Sequence, residues 1–222
     1  MNAAFRDMLN GNDGDNVIFS NVAEAQFGNM TSGAGTDRLQ RTTDGGQGNL
    51  VLNGFSSSNG IEQVNLDAGG SNRGIQGDSG DNVLDFSALA FLSGGVLGLD
   101  GDDTNIGILS QAGSYNAGSG NDVIIGGNLN DTITGGAGDD TLTGGNGADT
   151  CDYAVGDGLD TVNDFSNSGD TLIVPHRPVT SDPIQNGLDV NVSVNSSLAI
   201  KLKDVFLSSL AWDLSLGRIR RV

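Results

Sequence analysis

The 222 residues carry 28 acidic against 10 basic side chains, a formal net charge of −18, which argues against nucleic acid as a partner because phosphate binding needs basic surface. Only Glu24 and Glu62 are glutamates, so 26 of the 28 acids are Asp; with 36 Gly this favours turns and argues against a helical bundle. The single cysteine, Cys151, rules out an internal disulfide and a four-thiolate zinc site, and no apolar run approaches the ~20 residues of a transmembrane helix.

The chain opens without a basic head followed by an apolar run, so no amino-terminal signal peptide is expected. Residues 1–116 read as a degenerate repeat region of β-solenoid type. "GNDGDNVIF" at Gly11–Phe19 and "GDSGDNVLD" at Gly77–Asp85 share one form, with Asn16 and Asn82 at the sixth place. "SGAGTDRLQ" at Ser32–Gln40 keeps Gly33, Gly35, Asp37 and Leu39, whereas "GGQGNLVLN" at Gly45–Asn53 puts Leu50 where an acid would stand. The less periodic Phe55–Ile75 and Phe86–Val96 still alternate enough to be further strands. Asp85–Leu92, "DFSALAFL", is the best helical candidate, and it is short.

From residue 117 the pattern becomes strict. Ala117–Ile125 "AGSGNDVII", Gly126–Thr134 "GGNLNDTIT", Gly135–Thr143 "GGAGDDTLT" and Gly144–Asp152 "GGNGADTCD" are four nine-residue units in one register. Their sixth places are Asp122, Asp131, Asp140 and Asp149; their eighth are Ile124, Ile133, Leu142 and Cys151. A fifth unit, Val155–Asn163, follows a two-residue insertion and supplies Asp160 and Val162; a weaker sixth ends at Asp170 and Leu172. Between Gly74 and His176 stand sixteen Asp and no Lys or Arg, so a compact state needs a cation that the chain itself does not supply.

From residue 171 the composition changes. "LDVNVSV" and "LAIKLKDVF" alternate as strands and hold both lysines, Lys201 and Lys203, which predicts a β cap over residues 175–222. Two decoys are set aside. "GDSGD" at Gly77–Asp81 resembles a serine nucleophile loop, yet the sole histidine, His176, lies among prolines with no marked acid partner. Cys151 falls on an inward apolar place and reads as a core side chain.

A unit of six turn residues and a three-residue strand directs its eighth side chain inward and its neighbours outward. In the calcium-binding nonapeptide repeats that this pattern resembles, two units make one coil, which would stack Asp122 with Asp140, and Asp131 with Asp149, each eighteen residues apart. Glycine reaches turn angles that Cβ forbids and lets carbonyls crowd. Those carbonyls, with one carboxylate from each of two turns, make about six hard oxygen ligands, a set suited to Ca²⁺ rather than Mg²⁺. With no Cys or His cluster, zinc and copper are not indicated.

This stretch resembles the RTX, or haemolysin-type, calcium-binding repeat family. The resemblance is clear over 117–174, where "YAVGDGLDTVNDFSNSGDTLIV" is similar to the family's exit into a carboxy-terminal β segment. It implies an all-β fold, a right-handed parallel β-roll or β-solenoid closed by a carboxy-terminal β cap, with Ca²⁺ as the bound ion. It also implies metal-binding second, fourth and sixth places: Gly118, Gly120 and Asp122; Gly127, Leu129 and Asp131; Gly136, Gly138 and Asp140; Gly145, Gly147 and Asp149; and the equivalent Asp160. Leu129 replaces the family glycine, so a strained backbone angle is expected there, and weak or absent sites are expected around Asn16, Leu50 and Asn82.

The family further implies type I export from a Gram-negative bacterium to the outside or the cell surface. The resulting expectation is a calcium-folded, non-catalytic module. Alternatives are an adhesion face that binds a glycan, a cell surface or another copy through Thr132, Thr134, Thr141 and Thr143, or the non-catalytic tail of a larger secreted protease, lipase or alginate epimerase.

Overall fold

A computed structural model describes residues 17–20, 35–41, 50–52, 54–55, 61–65, 74–92, 94–154, 156–165, 169–174, 183–194, 197–213 and 217–221. Its amino-terminal strands are β1 (Val17–Ser20), β2 (Asp37–Arg41), β3 (Leu50–Val51), β4 (Ile61–Asn65), β5 (Ile75–Gln76), β6 (Val83–Asp85) and β7 (Phe91–Leu92). Through the centre run β8 (Val96–Asp100), β9 (Thr104–Ile106), β10 (Ser114–Ser119), β11 (Val123–Ile125), β12 (Thr132–Ala137), β13 (Thr141–Thr143), β14 (Thr150–Asp152), β15 (Asp160–Val162) and β16 (Thr171–Ile173). The carboxy-terminal strands are β17 (Ile184–Asn186), β18 (Asp189–Val194), β19 (Ser197–Leu202), β20 (Leu210–Asp213) and β21 (Arg218–Arg221). No α-helix occurs among the described residues.

The strands wind as a parallel solenoid. One sheet runs β3-β5-β8-β10-β12-β14-β16 and a second runs β6-β9-β11-β13-β15, every neighbouring pair parallel. A third sheet, β1-β2-β4-β7, gives the amino-terminal coils an extra wall. That wall ends at β7. The Gln111 side chain donates to the Leu92 carbonyl at 2.7 Å and accepts the Leu92 N–H at 3.4 Å, taking the place of the next strand. Beyond it the coil has two walls, and the core narrows accordingly. Phe55 and Phe86 stack at 5.1 Å inside the wider part, whereas Ile124, Leu142 and Cys151 suffice in the narrower one.

The expected inward places hold. Ile75, Val96, Tyr115, Ile133, Cys151, Leu172 and Ile219 pair in register along one sheet and are all buried. Along the facing sheet the row is Leu84, Asn105, Ile124, Leu142, Val162 and Leu202. Asn105 is the exception: it is fully buried and neither amide atom has a partner. An unpaired buried amide is costly, so Asn105→Leu is expected to stabilise the fold by about 1–3 kcal/mol, read by chemical denaturation in calcium.

Asp85–Leu92 is not helical. Asp85 ends β6, and its carboxylate accepts the Ser87 N–H at 3.0 Å and the Ser87 hydroxyl at 2.6 Å. An aspartate that closes on its own backbone two residues ahead makes a turn, not a helix interior. The chain then re-enters the third sheet as β7.

At the carboxy end the parallel order stops. β21 pairs antiparallel with β16 and β20 with β21, while β19 joins β15 in parallel and β18 and β17 add antiparallel strands beyond it. Val190, Val192, Ile200, Leu202 and Val205 fill this cap, and Lys201 meets Asp189 at 3.1 Å on its surface. The open ends of the last coil are thereby covered. His176 lies outside the described residues.

Candidate metal centre along the solenoid edges

Each strand pair leaves a turn on one of two edges, and the sixth-place carboxylates stack there. On the first edge Asn82 N–H donates to Asp103 Oδ1 at 2.8 Å, Asp103 N–H to Asp122 at 2.7 Å, Asp122 N–H to Asp140 at 2.9 Å and Asp140 N–H to Asp160 at 3.2 Å. On the second, Gly113 N–H donates to Asp131 at 2.6 Å, Asp131 N–H to Asp149 at 2.8 Å and Asp149 N–H to Asp170 at 3.0 Å. The structure thus brings together Asp122, Asp140 and Asp160 in one column and Asp131 and Asp149 in the other.

These carboxylates are buried: Asp122 and Asp140 are 1 % exposed and Asp149 and Asp160 3 %. In each of Asp103, Asp122, Asp140 and Asp149, Oδ2 has no hydrogen-bond partner. Burial pushes the carboxyls of Asp103, Asp140 and Asp149 up to about 6 and that of Asp160 to about 7, with repulsion between neighbouring aspartates adding to it. Asp122 and Asp131 are raised for the same first reason. A buried anion with an orphaned oxygen needs a cation beside it.

The backbone supplies the rest of such a site. Gly118, Gly120, Gly136, Gly138, Gly145 and Gly147 all adopt positive φ, between +97° and +137°. A Cβ on Gly136 would strike the Gly118 carbonyl, one on Gly138 the Gly120 carbonyl, and one on Gly158 the Gly138 carbonyl. The second and fourth carbonyls of one turn therefore point at the next turn on the same edge. Among the described residues no three acidic, thiol or imidazole groups converge. The donor set is one carboxylate per turn with carbonyl oxygens, a hard all-oxygen environment that fits Ca²⁺.

The Gly127–Asp131 turn differs. Neither Gly127 nor Leu129 has positive φ, so the strain expected at Leu129 is not there; its side chain is simply exposed. Instead the turn closes on itself. Asp131 Oδ2 accepts the Gly127 N–H at 2.6 Å, leaving this carboxylate with two backbone donors and no orphaned oxygen.

Three groups were not singled out by the repeat pattern. Asp103 heads a unit whose second and eighth places are Leu99 and Asn105, which hides it from a search for glycine and apolar residues. The fifth places form an outer ladder: Asp102 N–H donates to Asp81, Asn121 N–H to Asp102, Asp139 N–H to Asn121 and Leu159 N–H to Asp139, at 2.7–2.9 Å. Asp164 receives the N–H groups of Gly144 and Gly145 at 2.9 and 2.7 Å; its place just after the fifth unit was the available signal. Asn82 also matters as a contrast, because its side chain is paired with Asp78 in both directions, at 2.8 and 3.1 Å.

A family profile described as the RTX calcium-binding nonapeptide repeat, in four copies, matches residues 3–22, 116–151 and 125–162. No curated protein matches the chain. Among solved structures, the extracellular lipase LipA from Serratia marcescens is similar at 16 % identity and a TM-score of 0.41, over 95 % of this chain and 38 % of the lipase. The chain thus spans 38 % of that lipase's length. Residues 116–162 are RTX calcium-binding nonapeptide repeats, and the chain carries them as a Ca²⁺-binding parallel β-roll.

Proposed function

We propose that the chain is a structural module that completes its fold on binding calcium outside the cell. The observation that carries this reading is the set of buried, stacked aspartates whose second oxygens have no partner. Asp122, Asp140 and Asp160 on one edge and Asp149 on the other would hold the ions, with the carbonyls of Gly118, Gly120, Gly136, Gly138, Gly145 and Gly147. Bound Ca²⁺ supplies positive charge and a fixed geometry between turns. The carboxylates accept backbone N–H bonds through Oδ1, and Asp122, Asp140 and Asp149 leave an unpartnered Oδ2 for the cation; the glycines keep the carbonyls aimed along the edge.

RTX repeats are typical of proteins exported by the Gram-negative type I route, and that setting supplies the switch. Before export calcium is scarce, like charges repel, and the chain stays extended; outside, millimolar calcium drives coiling. Far-UV circular dichroism with calcium and with EGTA tests this. At pH 7.5 the coil signal is expected only with calcium, and an unchanged β spectrum in EGTA at that pH would refute the reading.

The two edges are not equivalent. Asp140→Asn removes an orphaned anion and is expected to weaken calcium binding by ~10-fold or more, whereas Asp131→Asn disturbs a carboxylate already supplied with two donors and is expected to cost less. Calorimetric titration of both variants checks the order.

A further inference from the structure

We propose that the Leu99–Asp103 turn, which lies outside the matched repeats, holds a further calcium ion and extends the first edge one coil toward the amino terminus. The inference rests on the calcium reading above.

Three observations carry it. Asp103 is 1 % exposed, accepts the Asn82 N–H through Oδ1, and leaves Oδ2 without a partner. That oxygen faces back into its own turn as in the regular repeats: a Cβ on Gly98 would strike Asp103 Oδ2, just as one on Gly135 would strike Asp140 Oδ2 and one on Gly144 Asp149 Oδ2. The carbonyls repeat the arrangement of the next coil. A Cβ on Gly118 would strike the Leu99 carbonyl and one on Gly120 the Gly101 carbonyl, just as Gly136 and Gly138 stand over Gly118 and Gly120.

The backbone agrees. Leu99 has φ of +90° and Gly101 of +109°, the positive angles seen at Gly118 and Gly120. A leucine seldom adopts such an angle, so the surroundings impose on Leu99 the conformation of its glycine counterparts. The turn below does not share the feature. In the Asn82 turn the amide is neutral and already paired with Asp78, so the column of anions starts at Asp103.

The test uses the whole chain. Calcium bound per chain is counted by calorimetry and metal analysis for the wild type, Asp103→Asn and Leu99→Gly. Asp103→Asn is expected to bind one ion fewer, while Leu99→Gly, which keeps the carbonyl and relieves the backbone, keeps the full count. An unchanged count in Asp103→Asn overturns the proposal while leaving the calcium reading intact; a wild type that binds none overturns both. Should Asp103→Asn fail to fold, the carbonyl carbon of Leu99 in ¹³C-leucine-labelled wild type, assigned by its loss in Leu99→Gly, gives the answer. It is expected to shift in step with calcium saturation, and a Leu99 signal unmoved at saturation rules the site out.

Discussion

Gly138→Val is expected to abolish the cooperative fold of the repeat coil, and Gly138→Ala to destabilise it by about 3 kcal/mol or more in saturating calcium. Two effects act together. Gly138 has φ of +137°, which L side chains rarely adopt, and its Cβ would fall on the carbonyl oxygen of Gly120 one coil below. Backbone on both sides leaves nothing flexible to give way. Gly156 separates the two effects. Its φ is +102°, but nothing lies within 4 Å of an added Cβ, so Gly156→Ala is expected to cost only the backbone strain, about 1–2 kcal/mol. Denaturant titration of both variants decides: similar losses would mean that close stacking of the turns does not set the spacing of the coil.

The second large effect concerns pH. Without calcium, burial holds Asp103, Asp140 and Asp149 at about 6 and Asp160 at about 7, above the ordinary aspartate value. For carboxyls raised by folding, the stability they lend is fully present below the unfolded value, near pH 4, and is lost as pH rises through 6 to 7. The metal-free chain is therefore expected to gain β structure when acidified from pH 7.5 to 4.5. Calcium binding follows the opposite slope, because protons compete for the same oxygens: the calcium midpoint should rise severalfold between pH 7.5 and 5.5. Circular dichroism in EGTA across pH, with calcium titrations at the two end points, checks both slopes. A metal-free chain that is equally ordered at every pH would show that the carboxylate columns do not oppose folding.

The nine-residue period made the second half of the coil legible, because it ties three things to fixed places: glycines that permit the turn, an aspartate at its end and one apolar residue facing inward. Those local rules predicted the stacking of Asp122 with Asp140 and of Asp131 with Asp149 and the burial of Cys151. What they missed is non-local or carried by exceptions. Leu99 and Asn105 break two diagnostic places of the Asp103 unit, although the neighbouring coils still force its backbone into the repeat conformation. Leu129 alters its turn in another way, relaxing to negative φ and turning Asp131 inward on Gly127. The third wall comes from strands separated by long connections, and the Gln111 side chain that ends it acts across nineteen residues. The outer ladder through Asp102 and Asp139 likewise depends on the neighbouring coil, which no local rule of the repeat encodes.

The most direct measurement is anomalous diffraction from crystals grown in ample calcium. Two columns of peaks are predicted, one beside Asp103, Asp122, Asp140 and Asp160 and a second beside Asp149. A well-ordered crystal whose turns show no anomalous density would contradict the claim that cations join successive coils.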